Sequence, residues 1–151
     1  MSDLLKLKYY SFVLRQTKRG NSYGRVINAK PILLISIIEK IREGEVSDNK
    51  IYFDDILKEN YKKIHLIYES NKEITPIYKP FFHLTSDGYW HIEWKNKMNC
   101  TISSEKKLRE NIKYACFDNA LWDLLKDDHN CKSLLDVIKN HFFKDKNLNY
   151  D

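Results

Sequence analysis

Glycine and proline are scarce, with 4 Gly and 3 Pro in 151 residues. That excludes a long Gly/Pro linker and any low-complexity or collagen-like architecture, and no repeat period is present. Cysteine is equally sparse. Cys100, Cys116 and Cys131 are odd in number and widely spaced, and none belongs to a CxxC pair. Neither a disulfide framework nor a thiol redox site is indicated, and a reducing cytoplasm is the expected compartment. The longest apolar run, Ile32 to Ile38, is interrupted by Ser36, and it falls well short of the ~20 residues that a membrane span requires. It also lacks the position and cleavage site of a signal peptide. No membrane association is expected.

What is present suits one folded unit. A chain of this length corresponds to about one domain at roughly 150 residues each, expected over residues 1–143, with residues 144–151 as a polar tail. The chain is 42% hydrophobic and 13% aromatic, which supplies material for a core. The formal charge of +5 is unevenly spread. Residues 1–42 carry nine Lys and Arg against Asp3 and Glu39, and residues 77–113 carry seven against four acids, whereas the two intervening and closing segments are net acidic. Such asymmetry predicts a basic face and favours a polyanionic partner.

Leu4, Leu5, Leu7, Tyr10, Phe12, Val13 and Leu14 recur at helical spacing and predict an amphipathic first helix that stops before Gly20. Lys18 to Arg25, with two glycines and three cations, reads as an exposed basic loop. A core helix follows, with Pro31 in its first turn, an almost wholly apolar body through Ile41, and Gly44 as its stop. Asp54 or Asp55 caps a third helix bearing Leu57, Tyr61, Ile64 and Tyr68 on one face and lysines on the other. Pro76 and Pro80 exclude a continuous helix beyond it, and Ser86-Asp87-Gly88 is a turn. Trp90, Ile92 and Trp94 then alternate with polar residues, as do Met98, Cys100 and Ile102, so a hairpin is predicted across Lys95-Asn96-Lys97. Ser103 or Ser104 caps a helix through Leu108, Ile112 and Ala115. Asp118 caps another with Leu121, Trp122 and Leu125, and Leu134 to Phe142 mark the last. The expected fold is mainly α, a compact helical domain with a small antiparallel β-hairpin or sheet. Phe81, Phe82, Leu84, Trp90 and Trp94 are assigned to its core.

Catalytic and metal signatures are missing. His129, Cys131 and His141 have no standard ligand spacing. His129, Asn140 and His141 supply the letters of an HNH nuclease, but they lie in one short helical stretch where that motif needs a strand and a helix. His129 and His141 are therefore assigned to the surface. There is no nucleophile elbow, phosphate-binding glycine loop or paired His and nucleophile. No catalytic residue, metal or cofactor is assigned, and the protein is not expected to be an enzyme.

Three stretches in order, GRVINAKPILLISIIEKIREGEVSDNKIYFDDIL, PIYKPFFHLTSDGYWHI and LRENIKYACFDNALWDLL, carry a resemblance. Together they are similar to the sulfur-binding domain of phosphorothioate-dependent HNH-type (type IV) restriction endonucleases, here without the HNH nuclease domain. The resemblance covers most of the chain. It implies a non-catalytic reader of double-stranded DNA in which sulfur replaces a non-bridging phosphate oxygen, serving restriction or defence, with any nuclease supplied by another domain or partner. Carried over by position, Lys79, Pro80 and His83 occupy the sulfur-pocket segment, with the Pro80 ring as apolar contact. Lys30 matches the basic residue before the proline of the core helix. Lys79 and His83 stand where the family often has tyrosine and a small residue, and Ala29 replaces its usual histidine. Lys18, Arg19 and Arg25, in the loop leading to Lys30, complete the expected DNA-binding set. The rival readings are a generic DNA binder without sulfur selectivity, and a protein-interaction or regulatory module on the same fold.

Overall fold

The computed structural model describes residues 2–70, 73–96 and 100–144. Helix α1 (Asp3–Arg15) is followed by a hairpin of β1 (Gly20–Ser22) and β2 (Arg25–Ile27), then α2 (Ala29–Arg42) and α3 (Asp55–Tyr68). Next come α4 (Tyr78–His83), a 3-10 turn (Leu84–Asp87), β3 (Trp90–Trp94), α5 (Glu105–Asn111), β4 (Ile112–Phe117), α6 (Asn119–Leu125) and α7 (Asp128–Phe143). The fold is mainly helical with two small antiparallel sheets among the described residues.

Helix α2 is the axis of the core. Ile32, Leu33, Leu34, Ile35, Ile37 and Ile38 are fully enclosed, because α3, α4, α6 and α7 all pack around it. Even Ser36 is buried, its hydroxyl donating back to the Ile32 carbonyl at 2.7 Å. The helix ends at Gly44, whose φ of +83° is the left-handed conformation a glycine adopts without strain. Ser2, Asp54, Ser104 and Asp127 each accept a backbone N–H at the start of α1, α3, α5 and α7. Asp118 stands at the start of α6 but does not cap it with its side chain. Its carboxylate instead accepts from Tyr10 Oη at 2.8 Å and pairs with His91, tying α1 to β3.

The strand pairing differs from the sequence expectation. Of the segment predicted to pair with β3, residues 97–99 lie outside the described residues, and Cys100 and Ile102 are not in a strand. The partner of β3 is β4, in the register Trp90↔Phe117 to Glu93↔Tyr114, with an irregularity before Trp94↔Ile112. The helix predicted through Ile112 and Ala115 therefore stops at Asn111. Beyond it, Ala115 exchanges two hydrogen bonds with Ile51 on its other side, and Asn49 bonds both the N–H and C=O of Phe117. Partners on both edges override a helical spacing of four, and the Ile, Tyr and Phe content suits an extended strand.

Two further expectations are revised. The apolar stripe of α1 is split: Tyr10 and Leu14 are buried, whereas Leu4, Leu5 and Phe12 are exposed, because only one side of this helix meets α6 and α7. Phe81, Leu84 and Trp90 are core, but Phe82 and Trp94 are half-buried and pack against its rim. His129 and His141 are exposed. Among the described residues, no helix is long and apolar enough to cross a membrane.

Candidate functional site

The hairpin arises from the stretch read as a basic loop. Gly20–Ser22 pairs with Arg25–Ile27 around the two-residue turn Tyr23-Gly24, and the Asn21 side chain accepts the Gly24 N–H at 3.0 Å. At its base, the Thr17 hydroxyl donates to the Leu14 carbonyl and bonds the buried Tyr89 hydroxyl at 2.6 Å. Burial pushes the Tyr89 phenol well above its ordinary pKa, so it stays neutral and available for that bond.

Facing the hairpin is α4, where Pro80 sits in the first turn and its missing N–H costs no helical bond. The hairpin, the start of α2, the end of α3 and α4 enclose a cleft of about 1120 Å³. Lys18, Arg19, Arg25, Lys30, Lys79, Pro80 and His83 all line it. They come from three separate parts of the chain. Five Lys or Arg side chains thus share the cleft with Glu69 and Glu73.

These cations divide into two groups. Lys30, expected to be open to a phosphate, is paired with Asp87 at 2.8 Å, the two side chains being only 14% and 3% exposed. The other Asp87 oxygen accepts the Lys18 backbone N–H at 2.8 Å, so one carboxylate anchors both the hairpin's approach and the α2 start. Arg19 is also tied. Its guanidinium lies 5.1 Å from the Phe142 ring centroid and donates to Asn28 Oδ1, while Asn28 Nδ2 donates to Glu69 Oε1 at 2.7 Å. By contrast, the side chains of Lys18, Arg25 and Lys79 are exposed, and none of them is in the ion pairs formed among the described residues. They are the cations available to an anion.

His83 is exposed at the cleft edge, its ring against Phe82. Pro80 was expected to be the apolar contact, but most of its ring is buried, because α4 packs on α2. It forms part of the floor. Additional apolar surface comes from Val26, Ile27, Ile74 and Pro76. Ala29 is buried beside Lys30 and leaves that wall small and apolar.

Sequence reasoning missed Asp87, Asn28 and Glu69. Asp87 was legible only as a turn residue, and Asn28 as a polar residue before a helix. Glu69 carries no local signal, because only the packing of α3 against α2 brings it to the cleft. Among the described residues, no three His, Cys, Asp or Glu are grouped so as to hold a metal ion. No family model matches the chain, and no curated protein matches it.

Proposed function

We propose that this chain is a non-catalytic DNA-binding domain that selects phosphorothioate-modified duplex DNA, acting in restriction or defence with a nuclease supplied by another domain or partner. The observation that carries this reading is the convergence of Lys18, Arg25 and Lys79 around a cleft with an apolar floor. The chemistry needs both properties. A phosphorothioate keeps the phosphate's negative charge, which calls for cations and N–H donors. Its sulfur is larger, more polarisable and less strongly hydrated than oxygen, so contact with Ile27, Ile74 and the remaining Pro80 surface costs it less desolvation. The N-terminal end of α2 adds a favourable dipole beside Lys30. In this reading Lys18, Arg25 and Lys79 grip the backbone, while the Lys30–Asp87 pair holds the cleft walls in register.

The test is gel retardation of matched duplexes with and without one phosphorothioate, at increasing salt. The modified duplex is expected to stay bound at salt concentrations that release its oxygen counterpart. A second reading, generic duplex binding without sulfur selectivity, is favoured by the burial of the Pro80 ring, which limits the apolar area on offer. Equal retention of the two duplexes would decide for it.

A further inference from the structure

The tip of the β1–β2 hairpin is occupied by a residue that the turn itself does not favour. Both central positions, Tyr23 and Gly24, have positive φ, +52° and +78°. Glycine and asparagine adopt that conformation readily, whereas a bulky side chain adopts it only under strain. Tyr23 is the one positive-φ residue other than glycine among the described residues. It is also fully exposed, with no packing contact that would offset the strain. Val26 beside it is exposed as well, and Arg25 follows within the same ribbon.

The rest of the hairpin is held firmly. Asn21 closes the turn, Thr17 joins its base to Tyr89, Asp87 fixes Lys18, and Arg19 is clamped between Phe142 and Asn28. The result is a short two-stranded ribbon with a rigid base, cationic flanks and an aromatic ring at its end. A two-stranded ribbon is narrow enough to enter a DNA groove, and rings or other apolar side chains at such tips contact bases by stacking or wedging.

We infer that Tyr23 is a groove probe: when Lys18, Arg25 and Lys79 hold the backbone, the ribbon enters the adjacent groove and the Tyr23 ring packs against a base. This rests on the DNA-binding reading and adds to it a base contact from an exposed ring that also lines the cleft. The ring supplies affinity without altering the number of phosphates neutralised.

The experiment compares the wild-type protein with Tyr23→Asn and Tyr23→Phe by fluorescence anisotropy on one phosphorothioate duplex over a salt series, with thermal unfolding of each protein. Asparagine suits the turn, so Tyr23→Asn is expected to melt no lower than wild type while binding about ten-fold more weakly. Its salt slope should be unchanged. Tyr23→Phe, which keeps the ring, should bind as wild type. Wild-type affinity in Tyr23→Asn, an altered salt slope, or an equal loss in Tyr23→Phe each overturns the inference while leaving DNA binding standing. Absence of duplex binding by the wild-type protein overturns both.

Discussion

The Asp87 side chain, 3% exposed, accepts the Lys18 amide with one oxygen and pairs with Lys30 through the other. Replacing it with alanine leaves Lys30 confined without its counter-charge and frees the hairpin's approach, so Asp87→Ala is expected to cost about 2–3 kcal/mol in urea unfolding. Asp87→Asn keeps an acceptor for the Lys18 amide and should cost less; an equal loss would show that the amide bond contributes little. The cations facing solvent behave differently. Arg25→Ala and Lys79→Ala should leave stability within about 0.5 kcal/mol. On the proposed function, each weakens duplex binding and lowers the salt slope by about 1. Arg42→Ala, which removes an exposed pair with Asp128 far along α2, is the control expected to change neither. At this scale the sequence was legible for charge but silent on pairing. Lys30 was identified from its place before Pro31. Its partner lies 57 positions later in the chain, a neighbour that only folding supplies.

At the scale of the element, local signals succeeded where one chain segment decides the outcome. Pro31 in the first turn and Gly44 at the stop bound α2 as expected, and Asp54 and Ser104 cap the helices they precede. Gly44→Ala places a side chain at φ +83° with open space around it, so the cost is backbone strain alone, about 1 kcal/mol. Chemical denaturation measures it, and a loss near zero would mean the α2 end relaxes. Local signals failed where partners decide. Ile112 and Ala115 have helical spacing from Leu108, yet they form the strand between β3 and Ile51. The β-favouring Ile112, Tyr114 and Phe117 were the available clue, masked by the helix preceding them. The hairpin of β1 and β2 was hidden differently: its turn uses Tyr-Gly rather than the usual Asn-Gly.

Across the whole molecule, one hydrophobic cluster runs from Tyr10 in α1 to Phe143 in α7, and several ionisable groups are enclosed in it. Burial pushes the phenols of Tyr61 and Tyr89 upward, burial and the neighbouring Asp118 do the same for Tyr10, and the Cys131 thiol is pushed up to about 11 by burial. Each is raised relative to the unfolded chain, so the unfolded state releases these protons first. Their contribution is complete below about pH 8, and stability should fall as pH rises above that, first through the thiol and then through the phenols. Thermal melts from pH 7 to 11 check this, and Tyr61→Phe should shallow the alkaline decline. The overall charge reading gained a location. Four cations of the first segment, Lys18, Arg19, Arg25 and Lys30, share one cleft with Lys79, Glu69 and Glu73, which the charge total alone could not indicate.

Sulfur selectivity is the property that separates this proposed site from a generic DNA-binding cleft. Its most direct measurement is the ratio of equilibrium affinities for two duplexes identical except for one non-bridging atom, titrated against the same protein at the same salt. If the cleft reads sulfur, the phosphorothioate duplex binds at least about ten-fold more tightly, a difference of about 1.4 kcal/mol. Both duplexes should show closely similar salt slopes, since both present the same charge to Lys18, Arg25 and Lys79. A ratio of one would rule out sulfur selectivity and leave a cleft that holds DNA without reading its sulfur.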